Sequence, residues 1–280
     1  MNTLEFTAVI GLGALVAGFL GALTGLGGGV VIVPLLTVVF GVDIHYAIGA
    51  ALVSVIATSS GAAAAYVREG YSNVRVGMFL EIATTVGALV GAALILHLRV
   101  SMISIIFGVV LLYSAYASLR EHPHSTLNDG PDRIATWLKM DSTYPNPSAS
   151  AVNGMESYHV RGVPQAFALM FVAGVLSGLL GIGSGAVKVL AMDKAMKLPF
   201  KVSTTTSNFM IGVTAAAGAG VYLRRGYIDP GLAMPVMLGV LGGSLIGARV
   251  LARAKVNVLR LVFGSVIAVL ALEMIYNGLK

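Results

Sequence analysis

The stretch TGLGGGVVIVP, Thr24 to Pro34, interrupts an apolar segment that would otherwise be long enough to cross a membrane. It contains four glycines, each of which costs about 1 kcal/mol relative to alanine in a helix interior. In lipid, a backbone N–H or C=O group that a broken helix leaves unpaired must find another partner, at a cost of several kcal/mol if it fails. The sequence therefore predicts a helix break inside a membrane segment, which a purely structural span would avoid.

The composition is far more apolar than that of a soluble domain. Hydrophobic residues make up 57% of the chain and charged residues only 11%, with a mean hydropathy of +0.89, whereas an average soluble domain has roughly 25% charged residues. Most of the chain must face lipid or other helices, which predicts an all-α, polytopic integral membrane protein. The net charge of +6 arises mainly from short loops between apolar runs, so we expect no nucleic-acid partner. The absence of cysteine excludes disulfides, thiolate metal sites and cysteine nucleophiles.

Apolar runs long enough to cross a hydrocarbon core about 30 Å thick recur along the chain. They predict eight long helices, at about residues 5–24, 46–67, 76–97 and 100–119, and again at about residues 163–180, 203–223, 231–251 and 257–277. Each set also contains one short apolar run directly after a glycine cluster, Val30 to Phe40 and Ala186 to Met196. As a helix, each short run reaches only about 17 Å, which is too short to span.

The two sets are copies of each other, related by a constant offset of 156 residues. The offset pairs Gly25 with Gly181, and it pairs Arg68 to Tyr71 with Arg224 to Tyr227 without a gap. Further glycines in the same register, expected at close helix contacts, are Gly87 with Gly243 and Gly91 with Gly247. We predict two homologous repeats of about four long helices plus one short broken or re-entrant helix each. The predicted units are the first repeat at residues 1–119, a polar connecting loop at 120–162 and the second repeat at 163–280.

The orientation of the repeats depends on how the broken segment crosses the membrane. If the first helix and its short partner form a hairpin that returns to one face, each half crosses an odd number of times and the halves are inverted. If the pair counts as one span, the halves are parallel. The distribution of Lys and Arg between the two sides favours the inverted arrangement.

The connecting loop differs in composition from both repeats, because prolines stand there among Ser, Asn, Asp and His. The segment DRIATWLKM, Asp132 to Met140, has Ile134, Trp137 and Leu138 on one side. It could form a short interfacial helix or belong to a partly ordered linker.

The matched glycine breaks predict a binding site for a small anion. Where a half-helix begins inside the membrane, its first N–H groups have no internal partner, and glycine lets a ligand approach them closely. Those N–H groups and the positive end of the helix dipole favour negative charge. Two such starts at corresponding places of two halves indicate a transporter's binding site. The glycines predicted to line it are Gly25, Gly27, Gly28, Gly29, Gly181, Gly183 and Gly185.

The second half adds polar side chains beside its glycine cluster. Ser184 and Lys188 follow the break; the lysine either pairs with the anion or, if the short helix lies near the surface, snorkels to water. The run STTTSN, residues 203–208, offers donors that suit an oxyanion, although it could instead hold helices together. The residues of this run assigned to substrate binding are Thr205, Thr206, Ser207 and Asn208. Glu81 either carries a coupling proton or is an interfacial residue near a helix end.

The sequence contains no signature of an enzyme, a cofactor site or a metal site. The glycine clusters lack the GxGxxG spacing, and no P-loop Lys-Ser/Thr follows them. No HExxH or GxSxG motif occurs. The five histidines lie in or near loops without ligand spacing. We therefore expect no catalytic activity, no cofactor and no bound metal.

Three stretches carry a resemblance to a known family: GLGGGVVIVP in the first half, GLLGIGSG in the second, and TSNFMIGVTAAAGAGVYLRRGYI from Thr206 to Ile228. They resemble the TauE/SafE family of sulfite and organosulfonate exporters, and the resemblance covers both repeats but not the connecting loop. It implies a secondary carrier of the bacterial or archaeal inner membrane that exports sulfite or sulfonates such as sulfoacetate, with proton coupling. Two positions depart from the pattern, because Ser184 replaces the usual third glycine and Leu190 stands where the first half has Pro34.

These inferences predict a multi-pass carrier that binds a small sulfur-containing oxyanion near the bilayer midplane and works by alternating access. The expected partners are that anion and membrane lipids, and a homodimer is a possible assembly. Two rival functions stay open: a passive anion channel, and a non-transporting membrane scaffold or assembly factor whose connecting loop binds its partner.

Overall fold

The protein is helical, as predicted. A computed structural model describes residues 3–24, 28–68, 70–119, 132–145, 155–251 and 256–279. Its long helices are α1 (Thr3–Thr24), α3 (Ile44–Arg68), α4 (Val74–Leu94), α5 (Val100–Leu119), α7 (Val163–Leu180), α9 (Phe200–Arg224), α10 (Pro230–Leu251) and α11 (Val256–Leu279). Each of the eight predicted long segments corresponds to one of these helices.

The second glycine cluster interrupts the helix where the sequence predicts, since α7 ends at Leu180 and the next helix begins at Gly185. In the first half, the described residues show a new helix beginning at Gly29, directly after the turn at Gly28. The first short helix, α2 (Gly29–Pro34), continues into a π-helical turn at Leu35–Val39. The second, α8 (Gly185–Leu190), continues into a π-helical turn at Ala191–Ala195. At 1.5 Å per residue each combined segment reaches only about 17 Å, so neither can cross a bilayer.

The long helices carry the apolar surface that a membrane requires. Over the described residues, α3, α4, α7 and α10 are long and apolar enough to cross a membrane. On α4, Met78, Ile82 and Val86 are 63%, 60% and 50% exposed, and their four-residue spacing places them on one helix face. Glu81 and Thr84 on the opposite side are buried. This division fits a multi-pass membrane protein whose outer faces contact lipid.

Close glycine contacts join helices of the two halves in matching pairs. Gly18 of α1 packs against the carbonyl of Val240 in α10, and Gly174 of α7 packs against the carbonyl of Thr84 in α4, so neither leaves room for a Cβ atom. The two contacts are related by the offset of 156 residues. The glycines predicted at tight contacts make the same kind of approach: Gly87 to Phe171, Gly91 to Val175, Gly243 to Leu15 and Gly247 to Phe19.

Two pairs of helices that are related by the 156-residue offset, α3 with α9 and α5 with α11, run in opposite directions. Along α3 and α9, Ser59 meets Gly212 whereas the earlier Leu52 meets the later Gly218. Along α5 and α11, Gly108 meets Ile275, and the earlier Ser101 and Ile105 meet the later Gly278. Both pairs are therefore antiparallel. Along the α1–α10 contacts and the α4–α7 contacts, in contrast, residue numbers rise together, so these two helix pairs are parallel.

Part of the connecting loop folds into a small unit, which we call the cap (residues 132–145 and 155–160). It contains a short helix, α6 (Arg133–Trp137), whose N-terminus Asp132 caps, and two strands, β1 (Ser142–Pro145) and β2 (Met155–Tyr158). The strands pair antiparallel with Ser142 opposite Tyr158. The sequence offered the short helix as one alternative but gave no sign of the hairpin, because both strands are short and mostly polar.

The cap packs on the ends of α4, α7 and α9. Apolar side chains of the cap and these helices form one cluster, which includes Ala135, Met140, Tyr144, Tyr158, Val76, Val163, Met196 and Val202. Asn73, at the start of α4, donates from Nδ2 to the carbonyl of Met140 and to the hydroxyl of Tyr158, both at 2.8 Å. Arg75 donates from Nη1 to the carbonyl of Lys139 at 2.9 Å. The cap is thus fixed to the membrane helices by both apolar and polar contacts.

Candidate functional site

The two helix breaks meet beside the middles of α3 and α9. A Cβ atom on Gly29 would lie 2.7 Å from the carbonyl oxygen of Gly181 and 2.7 Å from Val55. A Cβ atom on Gly183 would lie 2.6 Å from Ile211 and 3.2 Å from the same Val55. Val55 and Ile211 lie near the middles of α3 and α9, so the breaks adjoin the midpoints of the two longest helices.

Backbone conformation explains the glycines of the second break. Gly181 and Gly183 both have φ of +69°, a left-handed conformation that favours glycine. Gly181 ends α7, and its N–H donates to the carbonyl of Ser177. Among the other predicted glycines, Gly28 precedes α2 and packs against Val240, and Gly185 is the first residue of α8. Gly25 and Gly27 lie outside the described residues.

Ser184 occupies a conformation that is unfavourable for a residue with a side chain. Its φ is +47° and it is only 2% exposed, and its hydroxyl has no hydrogen-bond partner among the described residues. Strained residues of this kind cluster at binding and catalytic sites. Ser207 of α9 reaches the same region, donating from Oγ to the carbonyl of Gly185 at 3.3 Å.

A buried cluster of charged and polar side chains lies beside the second break. The side chain of Lys188 in α8 is completely buried, and its Nζ donates to Oγ1 of Thr214 in α9 at 2.5 Å. The same hydroxyl donates to Oε1 of Glu81 in α4 at 2.6 Å. Lys188 Nζ lies 3.9 Å from Glu81 Oε2. Three helices therefore bring a cation, a hydroxyl and an anion together in the protein interior.

This cluster bears on two of the interpretations left open by the sequence. The side chain of Lys188 does not reach the protein surface, because none of it is exposed. Glu81 is also buried, with 7% exposure, and is bonded within the helix bundle. Its Oε1 accepts a second hydrogen bond from Thr85 at 3.3 Å, whereas Oε2 has no hydrogen-bond partner among the described residues.

The charged cluster has no counterpart at the corresponding positions of the other half. At the repeat offset of 156 residues, Lys188 corresponds to Ile32, and Glu81 corresponds to Met237. Thr214 corresponds to Thr58, whose hydroxyl donates to its own helix at the carbonyl of Ser54. The site is therefore asymmetric, with charge at one of two otherwise corresponding positions.

Two of the predicted ligand-binding hydroxyls hold a loop instead. Thr206 Oγ1 accepts from the N–H of Asn73 at 3.0 Å, and Thr205 Oγ1 lies 3.0 Å from the carbonyl of Tyr71. Lys201 covers the ring of Tyr71, with Nζ 3.8 Å from its centroid. These contacts fasten the α3–α4 loop to α9. Asn208 is buried, with 7% exposure, and lies one position from Ser207.

A comparison with known protein families identifies the class of protein to which the chain belongs. The family model described as "Sulfite exporter TauE/SafE" matches residues 10–274. The chain belongs to the TauE/SafE family. Membership confirms the resemblance drawn from the glycine clusters and identifies the chain as a member of a family of membrane transporters.

Relatives in bacteria and in an archaeon align over most of the chain. The "Probable membrane transporter protein YunE" of Bacillus subtilis (strain 168) is 27% identical over 284 residues, covering 99% of both chains. "Probable membrane transporter protein YdhB" of the same strain is 27% identical over 236 residues, covering 84% of each chain. "Probable membrane transporter protein MJ0441" of Methanocaldococcus jannaschii is 23% identical over 275 residues, covering 93% of this chain and 92% of that protein. No solved structure matches the chain.

Thr214 is the residue of this TauE/SafE protein's buried cluster that the sequence analysis missed. It lies seven residues after Ser207, two helical turns along the same face of α9. It also matches Thr58 in the repeat register. Either signal could have selected it, but the bond to Glu81 depends on packing between α4 and α9. In the ranges that the structure describes, no cluster of three His, Asp or Glu side chains could hold a metal.

Proposed function

We propose that this protein is a secondary transporter of small sulfur-containing oxyanions, such as sulfite and organosulfonates including sulfoacetate. The family description supports sulfite as a substrate. The observation that carries the proposal is the completely buried Lys188, located beside the junction of two helix breaks. A lysine in that position is costly unless an anion compensates it. Glu81 Oε2 lies 3.9 Å from Lys188 Nζ, too far for a direct hydrogen bond, and an oxyanion supplies both a charge and the missing hydrogen-bond acceptors.

The substrate site that we propose combines this cation with neutral donors. Ser184, whose hydroxyl is buried without a described partner, lies four residues before Lys188. Ser207 of α9 contacts the carbonyl of Gly185, and the buried Asn208 follows it in the chain. The glycines of both breaks let an anion come close to backbone N–H groups. Thr205 and Thr206 belong to the proposed site only if the α3–α4 loop releases them during transport.

The matched architecture supports transport by alternating access between two inverted repeats. The bounds of α2 and α3, moved by 156 residues, coincide with those of α8 and α9. The Gly18–Val240 and Gly174–Thr84 contacts obey the same offset, and the corresponding helices α3 and α9 are antiparallel. Inverted repeats that meet at a central site are a common basis for alternating access.

The family description supports export, and the charge distribution supports an orientation in which the cap lies on the cytoplasmic side of an inner membrane. Basic residues gather on the side of the cap, namely Arg75, Arg133, Lys139, Arg161, Lys194, Lys197 and Lys201. The positive-inside rule assigns such a side to the cytoplasm. In this orientation, export means that anions bind from the side of the cap and leave on the opposite side.

The decisive experiment uses purified protein in liposomes, with sulfite, taurine, sulfoacetate, sulfate and thiosulfate tested with and without a pH gradient. A coupled carrier accumulates its substrate against a concentration gradient when a proton gradient is imposed. A passive channel shows flux that no proton gradient drives uphill, and a scaffold shows no anion flux.

A matched pair of variants tests the site itself. We expect Lys188→Met to abolish transport and anion-induced thermal stabilisation, because the only completely buried cation of the described residues is removed. Ile32→Met introduces the same side chain at the corresponding position of the first half and should retain both. At a concentration 100 times Kd, a bound anion stabilises the native state by about 2.7 kcal/mol. Unchanged transport by Lys188→Met would contradict the proposal.

A further inference from the structure

The geometry around Lys188 shows that its charge is compensated indirectly. Lys188 Nζ and Glu81 Oε2 lie 3.9 Å apart, which is beyond the roughly 2.7–2.9 Å of a charge-assisted N–H···O hydrogen bond. The hydroxyl of Thr214 mediates between them, accepting from Lys188 and donating to Glu81 Oε1. The Glu81 carboxylate therefore lies near the Lys188 ammonium group without a direct hydrogen bond to it.

Glu81 is also incompletely bonded for a buried carboxylate. Oε1 accepts from Thr214 and Thr85, whereas Oε2 has no hydrogen-bond partner among the described residues. Buried ion pairs offset their desolvation cost only when the remaining lone pairs and protons are satisfied. A carboxylate in this state can be exchanged for another anion at lower cost than one in a fully bonded salt bridge.

We propose that Glu81 is a tethered anion that occupies the Lys188 site until the substrate displaces it, and that the displaced carboxyl group accepts a proton. This inference rests on the proposed function, because it concerns the same anion site. Substrate oxygens take the place of the carboxylate at Lys188 Nζ and at the hydroxyl of Thr214. Glu81 receives one proton from the water on the side to which the site is open, and no covalent bond of the substrate changes.

The charge balance of the Lys188 site determines how many protons are bound with each anion. Without substrate, Lys188 and Glu81 sum to zero charge. A monoanion alone would leave one uncompensated negative charge in the protein interior, whereas a monoanion with one proton on Glu81 restores neutrality. One proton therefore accompanies each monoanion.

Among the described residues of the elements around Glu81, Lys188 is the charged side chain that faces it. Helix α7, which packs along α4, has no charged residue between Val163 and Leu180. The charges of α9 are Lys201 and Arg224, near its two ends, and the turn after α4 carries His97. On the short segment that contains Lys188, Asp193 and Lys194 lie beyond α8 and are paired with each other at 3.8 Å.

The test measures binding of methanesulfonate, a monoanion whose own charge does not change near neutral pH. For the wild-type protein we expect proton uptake of about one per anion bound, and affinity that falls about tenfold per pH unit once Glu81 is ionised in the free protein. Proton uptake is measured with an indicator dye in weakly buffered solution, and affinity by calorimetry between pH 5 and 9. Binding without proton uptake would overturn the inference.

A pair of matched variants identifies the group responsible. Glu81→Gln should bind methanesulfonate without proton uptake and with affinity independent of pH, and should exchange anions across liposomes without proton-driven accumulation. Met237→Gln introduces the same side chain at the corresponding position of the other half and should keep the wild-type proton uptake. Proton uptake that persists in Glu81→Gln would refute the assignment.

The outcomes separate this inference from the proposed function. If wild-type protein binds methanesulfonate with no change in protonation, the anion site stands and the role of Glu81 fails. If wild-type protein binds neither methanesulfonate nor sulfite, the proposed function itself fails. Because the dye measurement needs only the wild-type protein, the conclusion does not depend on whether Glu81→Gln folds.

Discussion

Gly29 and Gly181, the glycines at which the two helix breaks meet, approach so closely that a Cβ atom on Gly29 would lie 2.7 Å from the carbonyl oxygen of Gly181. One residue starts a short helix and the other ends a long helix of the opposite half. The contact joins the halves at the level of Val55, near the middle of α3. Glycine is required there because the two backbones are in direct contact. This contact fixes the position of one break relative to the other, and so the geometry of a binding site close to both.

A methyl group on Gly29 should therefore be poorly tolerated. We expect Gly29→Ala to destabilise the protein by about 1–3 kcal/mol, since the added carbon overlaps a backbone oxygen and Val55 and neither can move away easily. Thermal unfolding in detergent measures the effect. Gly220→Ala is the control, because nothing lies within 4 Å of a Cβ atom at that helical position, and there alanine should be neutral or slightly stabilising. Equal stability of both variants would show that the breaks do not pack as described.

The hydroxyl of Thr214 should matter more than that of its counterpart Thr58. Thr214→Val removes the acceptor of Lys188 and a donor to Glu81, and leaving buried polar groups unsatisfied costs about 1–3 kcal/mol. Thr58→Val removes a bond to the carbonyl of Ser54 in the same helix, so a smaller loss is expected. Thermal unfolding and anion uptake are measured for both variants. Thr214→Ser should restore most of the loss, and failure of this rescue would indicate that the methyl group of Thr214 matters more than its hydroxyl.

Most of the helical framework could be predicted from the sequence because its signals are local. An apolar run of sufficient length predicts α3 at residues 46–67, and the helix is Ile44–Arg68. Glycine clusters predict the breaks because the cost of glycine in a helix is a property of the residue itself. The bonding of Lys188 and Glu81 could not be predicted, since 107 positions separate them in the chain and they meet only when α4, α8 and α9 pack. Thr205 and Thr206 have the chemistry of ligand-binding residues, but the partners they contact are loop atoms that only the fold brings near.

Asn73 should control the attachment of the cap. Its Oδ1 accepts from the N–H of Val76 and so caps α4, while its Nδ2 donates to Met140 and Tyr158 in the cap. Asn73→Asp keeps the helix cap but removes both donors, so we expect α4 to remain intact while the cap loosens. Limited proteolysis should then cleave the region around residues 132–160 faster than in the wild-type protein.

Tyr158→Phe separates the two cap contacts of Asn73. It removes the hydroxyl that accepts from Asn73 and leaves the bond to Met140 in place. Burial raises the pKa of the Tyr158 hydroxyl, so that hydroxyl stays neutral at physiological pH. We expect cleavage of Tyr158→Phe at a rate between those of the wild-type protein and Asn73→Asp. If Asn73→Asp is cleaved no faster than the wild-type protein, the apolar cluster alone holds the cap.

Trp137 provides a direct measurement of whether the cap touches the membrane. It is the only tryptophan of the sequence, and it is 81% exposed at the end of α6. Tryptophan prefers the membrane–water interface, and Arg133 and Lys139 nearby can contact anionic headgroups. In liposomes we expect Trp137 emission to be quenched by lipids brominated near the headgroup and protected from aqueous iodide. Strong quenching by iodide, with none by brominated lipid, would mean that α6 points into water, and Trp137→Phe, which should abolish the emission, provides the background for both measurements.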